Sequence, residues 1–239
     1  SPTINWGDLR KLEFSLPDKS EQDKIAEVLW AIEENIETYN NLILATEELI
    51  KAQFIEMFGD LKENPRKLPL TTIGESCEIL DSMRIPIAAS KREPGPYPYY
   101  GANGVQDYVK DYIFDDELIL LAEDGGNFGS DTRPIAYKVS GKFWVNNHAH
   151  VLKPKSELNI DYLHHAIRFY DVSKYITGTT RAKLNQTAMK RMILLKPTLS
   201  KQRDFSKFVK QADESISELI KTSNGLKKIK KSIVKKYFG

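Results

Sequence analysis

Cysteine is almost absent from this chain. Cys77 stands alone, which excludes an internal disulfide framework and fits a reducing compartment. No apolar run is long enough to span a bilayer and no signal-peptide pattern opens the sequence, so the expected setting is cytoplasmic, with no membrane partner. Charge of one sign is not in surplus either. The net charge of +2 means that any nucleic-acid partner has to be argued from local patches, not from the total. Catalytic signatures are missing as well: there is no Walker lysine motif and no nucleophile elbow. Asn64-Pro65-Arg66-Lys67 lacks the second proline and the aromatic residue of an Asn-Pro-Pro-aromatic set. The chain opens on Ser1, not Met, which reads as a processed end or an expressed fragment.

What is present is a repeat. Sliding the sequence by 180 residues superimposes Asn5 on Asn185, Pro17 on Pro197, Ser20 on Ser200, Gln22 on Gln202, Ile36 on Ile216 and Phe58 on Phe238 without a gap. Within the first copy Ile25, Leu29, Ile32, Ile36, Tyr39, Ile43, Thr46, Ile50, Gln53 and Met57 alternate steps of four and three, the 3.5-residue period of a coiled-coil seam. The second copy offers Phe205, Val209, Ala212, Ile216, Leu219, Ser223, Leu226, Lys230, Ile233 and Tyr237 in the same register. Two long helices are expected, over 18–59 and 200–239. At a rise of ~1.5 Å per residue the first seam spans roughly 48 Å. Residues 18–59 carry ten acidic and three basic side chains, and 201–239 carry eleven basic and four acidic ones. Opposite fields favour pairing of the two helices with each other. The Lys227, Lys228, Lys230, Lys231, Lys235 and Lys236 cluster is read in part as the answer to the acidic helix.

Between the helices the period changes. Residues 60–199 form the expected globular domain, entered through a Pro-containing linker at 62–69. Segments at 97–100, 108–114, 118–122, 135–139, 143–145 and 148–152 read as strands, separated by turn signals such as Asn103-Gly104 and Ser140-Gly141. One helix is expected at 158–170 and a last strand at 192–195. The fold class is therefore α+β: a mainly β domain with small helices, and two long helices. Residues 1–17 copy the segment before the second helix and read as the tail of a missing or truncated first domain.

Four ordered motifs then carry a resemblance. Tyr97-Pro98-Tyr99-Tyr100-Gly101-Ala102-Asn103-Gly104 comes first, followed by Leu118-Ile119-Leu120-Leu121-Ala122-Glu123-Asp124-Gly125-Gly126-Asn127. Trp144-Val145-Asn146-Asn147-His148-Ala149-His150-Val151-Leu152 and Lys183-Leu184-Asn185-Gln186 complete the set. With the helical repeat, these resemble a target recognition domain and flanking helices of the specificity (S, HsdS) subunit of type I restriction-modification systems. The resemblance implies an antiparallel helix pair and a non-catalytic role. It also implies double-stranded DNA, methyltransferase (M) and restriction (R) subunits as partners. S-adenosylmethionine, ATP and Mg would sit on those partner subunits, with no cofactor in this chain. Only one recognition domain is present, so a half subunit acting as a homodimer and the C-terminal half of a two-domain subunit both stay open. The rod would act as a ruler between two readers.

Reading duplex DNA needs guanidinium, amide and ammonium groups on loops. Loop 81–92 offers Arg84, Lys91 and Arg92; loop 127–133 offers Asn127, Ser130 and Arg133; loop 178–186 offers Thr179, Thr180, Arg181, Lys183, Asn185 and Gln186. The bland reading of each is a polar surface loop. Ile25, Leu29, Ile32, Ile36 and Ile43, with Phe205, Val209, Ile216, Leu219 and Leu226, are the expected helix-pair and partner residues. His148 and His150 point to one side of a strand, yet their spacing from other ligand types matches no zinc pattern, so no metal is expected. Glycines at 125, 126 and 129 lack the following helix that a nucleotide loop needs. Tyr97, Tyr99 and Tyr100 read as core before they read as base-stacking groups. The competing function is a coiled-coil scaffold whose β domain binds protein.

Overall fold

A computed structural model describes residues 5–11, 17–125, 127–128, 133–178 and 182–238. The chain opens with α1 (Trp6–Leu9) and the long α2 (Lys19–Phe58), then β1 (Leu70–Thr72), α3 (Ile73–Ser76) and β2 (Cys77–Ile79). Next come β3 (Pro94–Gly101), β4 (Gly104–Val109), β5 (Phe114–Asp115), β6 (Leu118–Ala122), β7 (Ala136–Val139), β8 (Lys142–Val145) and β9 (Ala149–Pro154). The chain closes through α4 (Ile160–Phe169), α5 (Gln186–Lys190), β10 (Ile193–Leu195) and α6 (Leu199–Phe238). The architecture is α+β. Among the described residues no helix is long and apolar enough to cross a membrane.

Two compact units emerge, Ser1–Leu49 with Gln211–Gly239, and Ile50–Lys210. The division falls inside α2 and α6 and not at their ends. In the first unit Ile25, Ile32 and Ile36 are buried, while Leu29, Tyr39, Ile43 and Thr46 are half-buried. On α6, Ala212 and Ser223 are buried and Ile216, Leu219, Leu226, Lys230, Ile233 and Tyr237 half-buried. Ile25 lines a hollow with Ile233 and Tyr237, and Ile36 lines another with Lys227 and Val234. The start of α2 therefore meets the end of α6, and the pair is antiparallel. Lys230 pairs with Glu33 across the seam, one contact between the opposed fields. Trp30, Leu42, Leu44 and Leu49 remain exposed.

The second unit is denser. Phe54, fully buried, sits among Phe58, Tyr162, Phe169, Tyr170 and Phe205 with centroids 5.0 to 5.6 Å away. Such offset and edge-on ring pairs add to the burial of their area. One sheet runs β2-β9-β6-β7, all antiparallel; the other runs β4-β3-β8-β5, with β3 and β8 parallel; β1 and β10 pair separately. Phe114, Leu118, Leu120, Val139, Phe143, Val145, Ala149 and Val151 form a buried apolar cluster. Asn159 caps α4 by accepting from the N–H groups of Asp161 and Tyr162.

Two departures from the sequence reading have physical reasons. The expected strand 108–114 breaks after Val109 because Lys110 N–H turns to the Glu93 carbonyl (3.0 Å) and Ile113 N–H to that of Phe143 (3.1 Å). α3 was not anticipated, although Thr72 and Glu75 form a reciprocal capping box.

The repeat survives as a hydrogen bond. Gln22 Nε2 donates to the Pro17 carbonyl at 2.7 Å, and Gln202 Nε2 to the Pro197 carbonyl at 2.8 Å. Both helices start with the same side-chain tie to their preceding proline.

Candidate nucleic-acid interface

Strand direction gathers loops at one end of the second unit. β2 and β6 finish where β9 begins, because both are antiparallel to it. Likewise β3 and β8, being parallel, finish where β4 begins. Residues 80–84, 101–104, 123–125, 146–148 and 183–186 are joined to one another there by side chains. Asn103 Nδ2 donates to the Gly125 carbonyl at 2.9 Å, and His148 Nδ1 lies 2.5 Å from Asp124 Oδ1. Asn146 Nδ2 donates to Gln106 Oε1 at 3.1 Å, while its own Oδ1 accepts the His148 N–H at 2.8 Å. A Cβ on Gly101 would stand 2.2 Å from Gln106 Nε2 and 3.0 Å from Asn146 Nδ2, so only glycine leaves room for this amide pair.

Beneath the loops lies a buried charged network. Asp81 accepts from Val151 N–H (2.9 Å) and Gln186 Nε2 (2.9 Å), and its Oδ2 stands 2.6 Å from His150 Nδ1. Burial alone would raise the Asp81 carboxyl; the hydrogen bond and charge of His150, with those from Gln186 and Val151, outweigh it and hold the group below the usual carboxylate range. Arg84 donates through Nη1 to Glu123 (2.8 Å) and to the Ala149 carbonyl (2.8 Å), and through Nε to the Asp81 carbonyl (3.0 Å). Asp81, Glu123 and His150 present ligand atoms within 4.8 Å of one another. Arg84 already pairs with both carboxylates, so the protein supplies the balancing cation itself.

The expected contact residues divide accordingly. Arg84 is spent on this network. Arg92 is also engaged internally: its Nε donates to the Ile87 carbonyl (3.1 Å), its Nη1 to Asp107 (3.3 Å), and its guanidinium lies 4.3 Å from the Tyr99 ring centroid. Arg92 thus sits against β3 and β4. Lys91 precedes it, exposed. Asn185 caps α5 by accepting from Ala188 N–H at 2.9 Å. Asn127 is half-buried and hydrogen-bonds Tyr137, and Arg133 is exposed. Lys183 is half-exposed, with Nζ 3.5 Å from Glu123 Oε1. Its backbone exchanges two hydrogen bonds with Thr177, at 2.8 and 2.7 Å, which closes a hairpin beside Gly178 at φ +87°. Thr179, Thr180, Arg181 and Ser130 lie outside the described residues, as do 1–4 and 12–16 of the expected tail.

Tyr99 is buried, with its hydroxyl accepting from Ile87 N–H at 2.9 Å, and Tyr97 and Tyr100 pack edge-on against Tyr112 and Phe143. These rings build the domain. Burial pushes the Cys77 thiol up to about 12, which leaves it a packed, unreactive group. Sequence reasoning missed Asn103, Gln106 and Asn146. Asn103 was read only as part of an Asn-Gly turn, and Asn146 only within a motif that carries the resemblance.

Comparison with known proteins follows the same lines. Residues 66–231 match the family model of the type I restriction modification DNA specificity domain. A putative type I restriction enzyme specificity subunit of Haemophilus influenzae is 36% identical over 137 residues, 57% of this chain and 35% of that protein. The EcoprrI specificity subunit of Escherichia coli is 26% identical over 153 residues, covering 63% of this chain and 36% of the relative. A putative specificity subunit of Mycoplasma pneumoniae is 25% identical over 92% of this chain and 82% of its own. The chain thus spans about a third of the first two relatives. Among solved structures, the S subunit of a type I restriction-modification system from M. genitalium matches 99% of this chain and 66% of that one, with a TM-score of 0.69 and 21% identity. That likeness bears on the fold.

Proposed function

The chain belongs to the type I restriction modification DNA specificity family, and from that premise we propose that it reads one half of a bipartite duplex target and docks methyltransferase subunits. The observation that carries this reading is the gathering of loops at one end of the second unit. Amide and ammonium groups of Asn103, Gln106 and Lys183 stand there on a frame fixed by buried ion pairs. These are the group types that fit base edges and phosphates. The chain itself is the non-catalytic specificity subunit; chemistry using S-adenosylmethionine, ATP and Mg belongs to the M and R partners. The α2 and α6 segments of the first unit, with Trp30, Leu42, Leu44 and Leu49 exposed, are the proposed partner surface.

Long-read mapping of methylated adenine in cells co-expressing the chain with a methyltransferase subunit tests the reading. An inverted repeat with a fixed gap is expected if two copies act together, and an asymmetric bipartite motif if a second recognition domain is supplied. In binding assays, duplex affinity should fall with salt, and Lys183→Ala should reduce the salt slope by about one counterion if it contacts phosphate. Salt-independent or absent duplex binding by the assembled subunits would replace this reading with a protein scaffold.

A further inference from the structure

His150 is fully buried and both of its ring nitrogens face oxygen acceptors. Nδ1 lies 2.6 Å from Asp81 Oδ2, and Nε2 lies 2.7 Å from the Leu184 carbonyl. A carbonyl can only accept, so Nε2 must carry a proton. The Asp81 carboxylate already accepts from Val151 N–H and Gln186 Nε2 and stands 3.4 Å from Arg84 Nη2, a set of donors that favours its ionised form. Nδ1 must then be the donor in the remaining bond. A neutral imidazole has one N–H and cannot serve both.

We propose that His150 is held as an imidazolium and acts as a positioning residue, tying the 183–186 return of the recognition hairpin to the loop after β2. This deepens the DNA-binding reading and rests on it. The tie is doubled: His150 holds the Leu184 carbonyl, Gln186 holds Asp81, and Leu184 N–H donates to the Glu123 carbonyl at 2.7 Å. The charge set around the ring is Asp81 and Arg84 from the loop after β2, Glu123 and Asp124 after β6, Lys183 on the hairpin and His148 before β9. Glu123 Oε2, 3.7 Å from Nδ1, adds a second negative group on the same side. Buried charges of opposite sign that are fully hydrogen-bonded specify one arrangement, and removing either partner strands the other. The segment from Lys183 to Gln186 is therefore fixed relative to β9 by a charge and not by packing alone.

The test uses the full chain labelled with 15N in its four histidines, His150 being assigned by comparison with His150→Gln. Both ring nitrogens of His150 should be protonated at neutral pH; a ring nitrogen without a proton overturns the proposal. Asp81→Asn keeps the side-chain shape and removes the charge. It should leave His150 with one ring proton and speed amide exchange at Leu184 and Thr177 about tenfold, as expected for losing one charge-assisted hydrogen bond. Duplex affinity should fall by about the same factor. Unchanged exchange overturns the tie, and faster exchange with undiminished affinity overturns its role in binding. If the parent chain in complex binds no duplex while ring and exchange results stand, the DNA-binding reading fails and the tie remains.

Discussion

One segment occurs twice in this chain and is clothed differently each time. Gln22 is half-buried and donates through Nε2 to the Pro17 carbonyl at 2.7 Å. Gln202, its counterpart, is fully buried. It donates to the carbonyls of Pro197 (2.8 Å) and Glu157 (3.2 Å) and accepts from Asn159 N–H (2.7 Å) just before α4. Ile25 faces a hollow with Ile233 and Tyr237, whereas its counterpart Phe205 packs edge-on against Phe54, Phe58 and His165. The local structure is a property of the repeated sequence; the burial is a property of what folds beside it.

The comparison can be broken or sharpened by substitution. Phe205→Ala should cost about 3–5 kcal/mol in urea unfolding, since it empties a ring-lined core, against roughly 2 kcal/mol for Ile25→Ala. Equal costs would mean that the first copy is as well packed as the second. Acid should act on the clothed copy. Burial pushes the His165 imidazole down to about 4, below its ordinary 6.5, so the unfolded chain takes up a proton that the folded chain refuses between those values. Stability is therefore intact above pH 6.5 and falls as pH drops toward 4, by roughly 3 kcal/mol in all. Thermal melts across that window should show the slope, and His165→Gln should reduce it, leaving the part owed to the neighbouring His164, which burial also holds well below its ordinary value. The smallest effect belongs to the glutamines: Gln202→Ala should cost about 2 kcal/mol and Gln22→Ala under about 1, because only the former strands a buried N–H and two carbonyls.

The long helices were legible because a 3.5-residue period persists over many turns, and their pairing because opposite charges are segregated between the copies, while their antiparallel sense was given by the resemblance. Positions 118–122 were legible as a strand because Leu118 to Ala122 is uniformly apolar, matching its complete burial. Short elements were not. β1, β2 and α5 owe their form to partners distant in sequence, such as Leu195 for Leu70 and Pro154 for Cys77, and no local period announces them. The interface was half legible. Loop composition pointed to the 178–186 segment, of which Lys183 and Gln186 stand beside Glu123 and Asp81. Composition could not say that Arg84 and Arg92 face inward, because an arginine that pairs with Glu123 or lies over Tyr99 looks in sequence like any loop arginine. Lys183 lies 3.5 Å from Glu123 and is still half-exposed.

The bridge between Thr177 and Lys183 is made of two backbone hydrogen bonds, to which the Thr177 hydroxyl adds a third, to the Lys183 carbonyl at 3.2 Å. Amide and carbonyl groups are the same in every residue but proline, so the closure does not depend on which side chains lie between them. The sequence between the two bonded residues can therefore change while their backbone bonds stay the same.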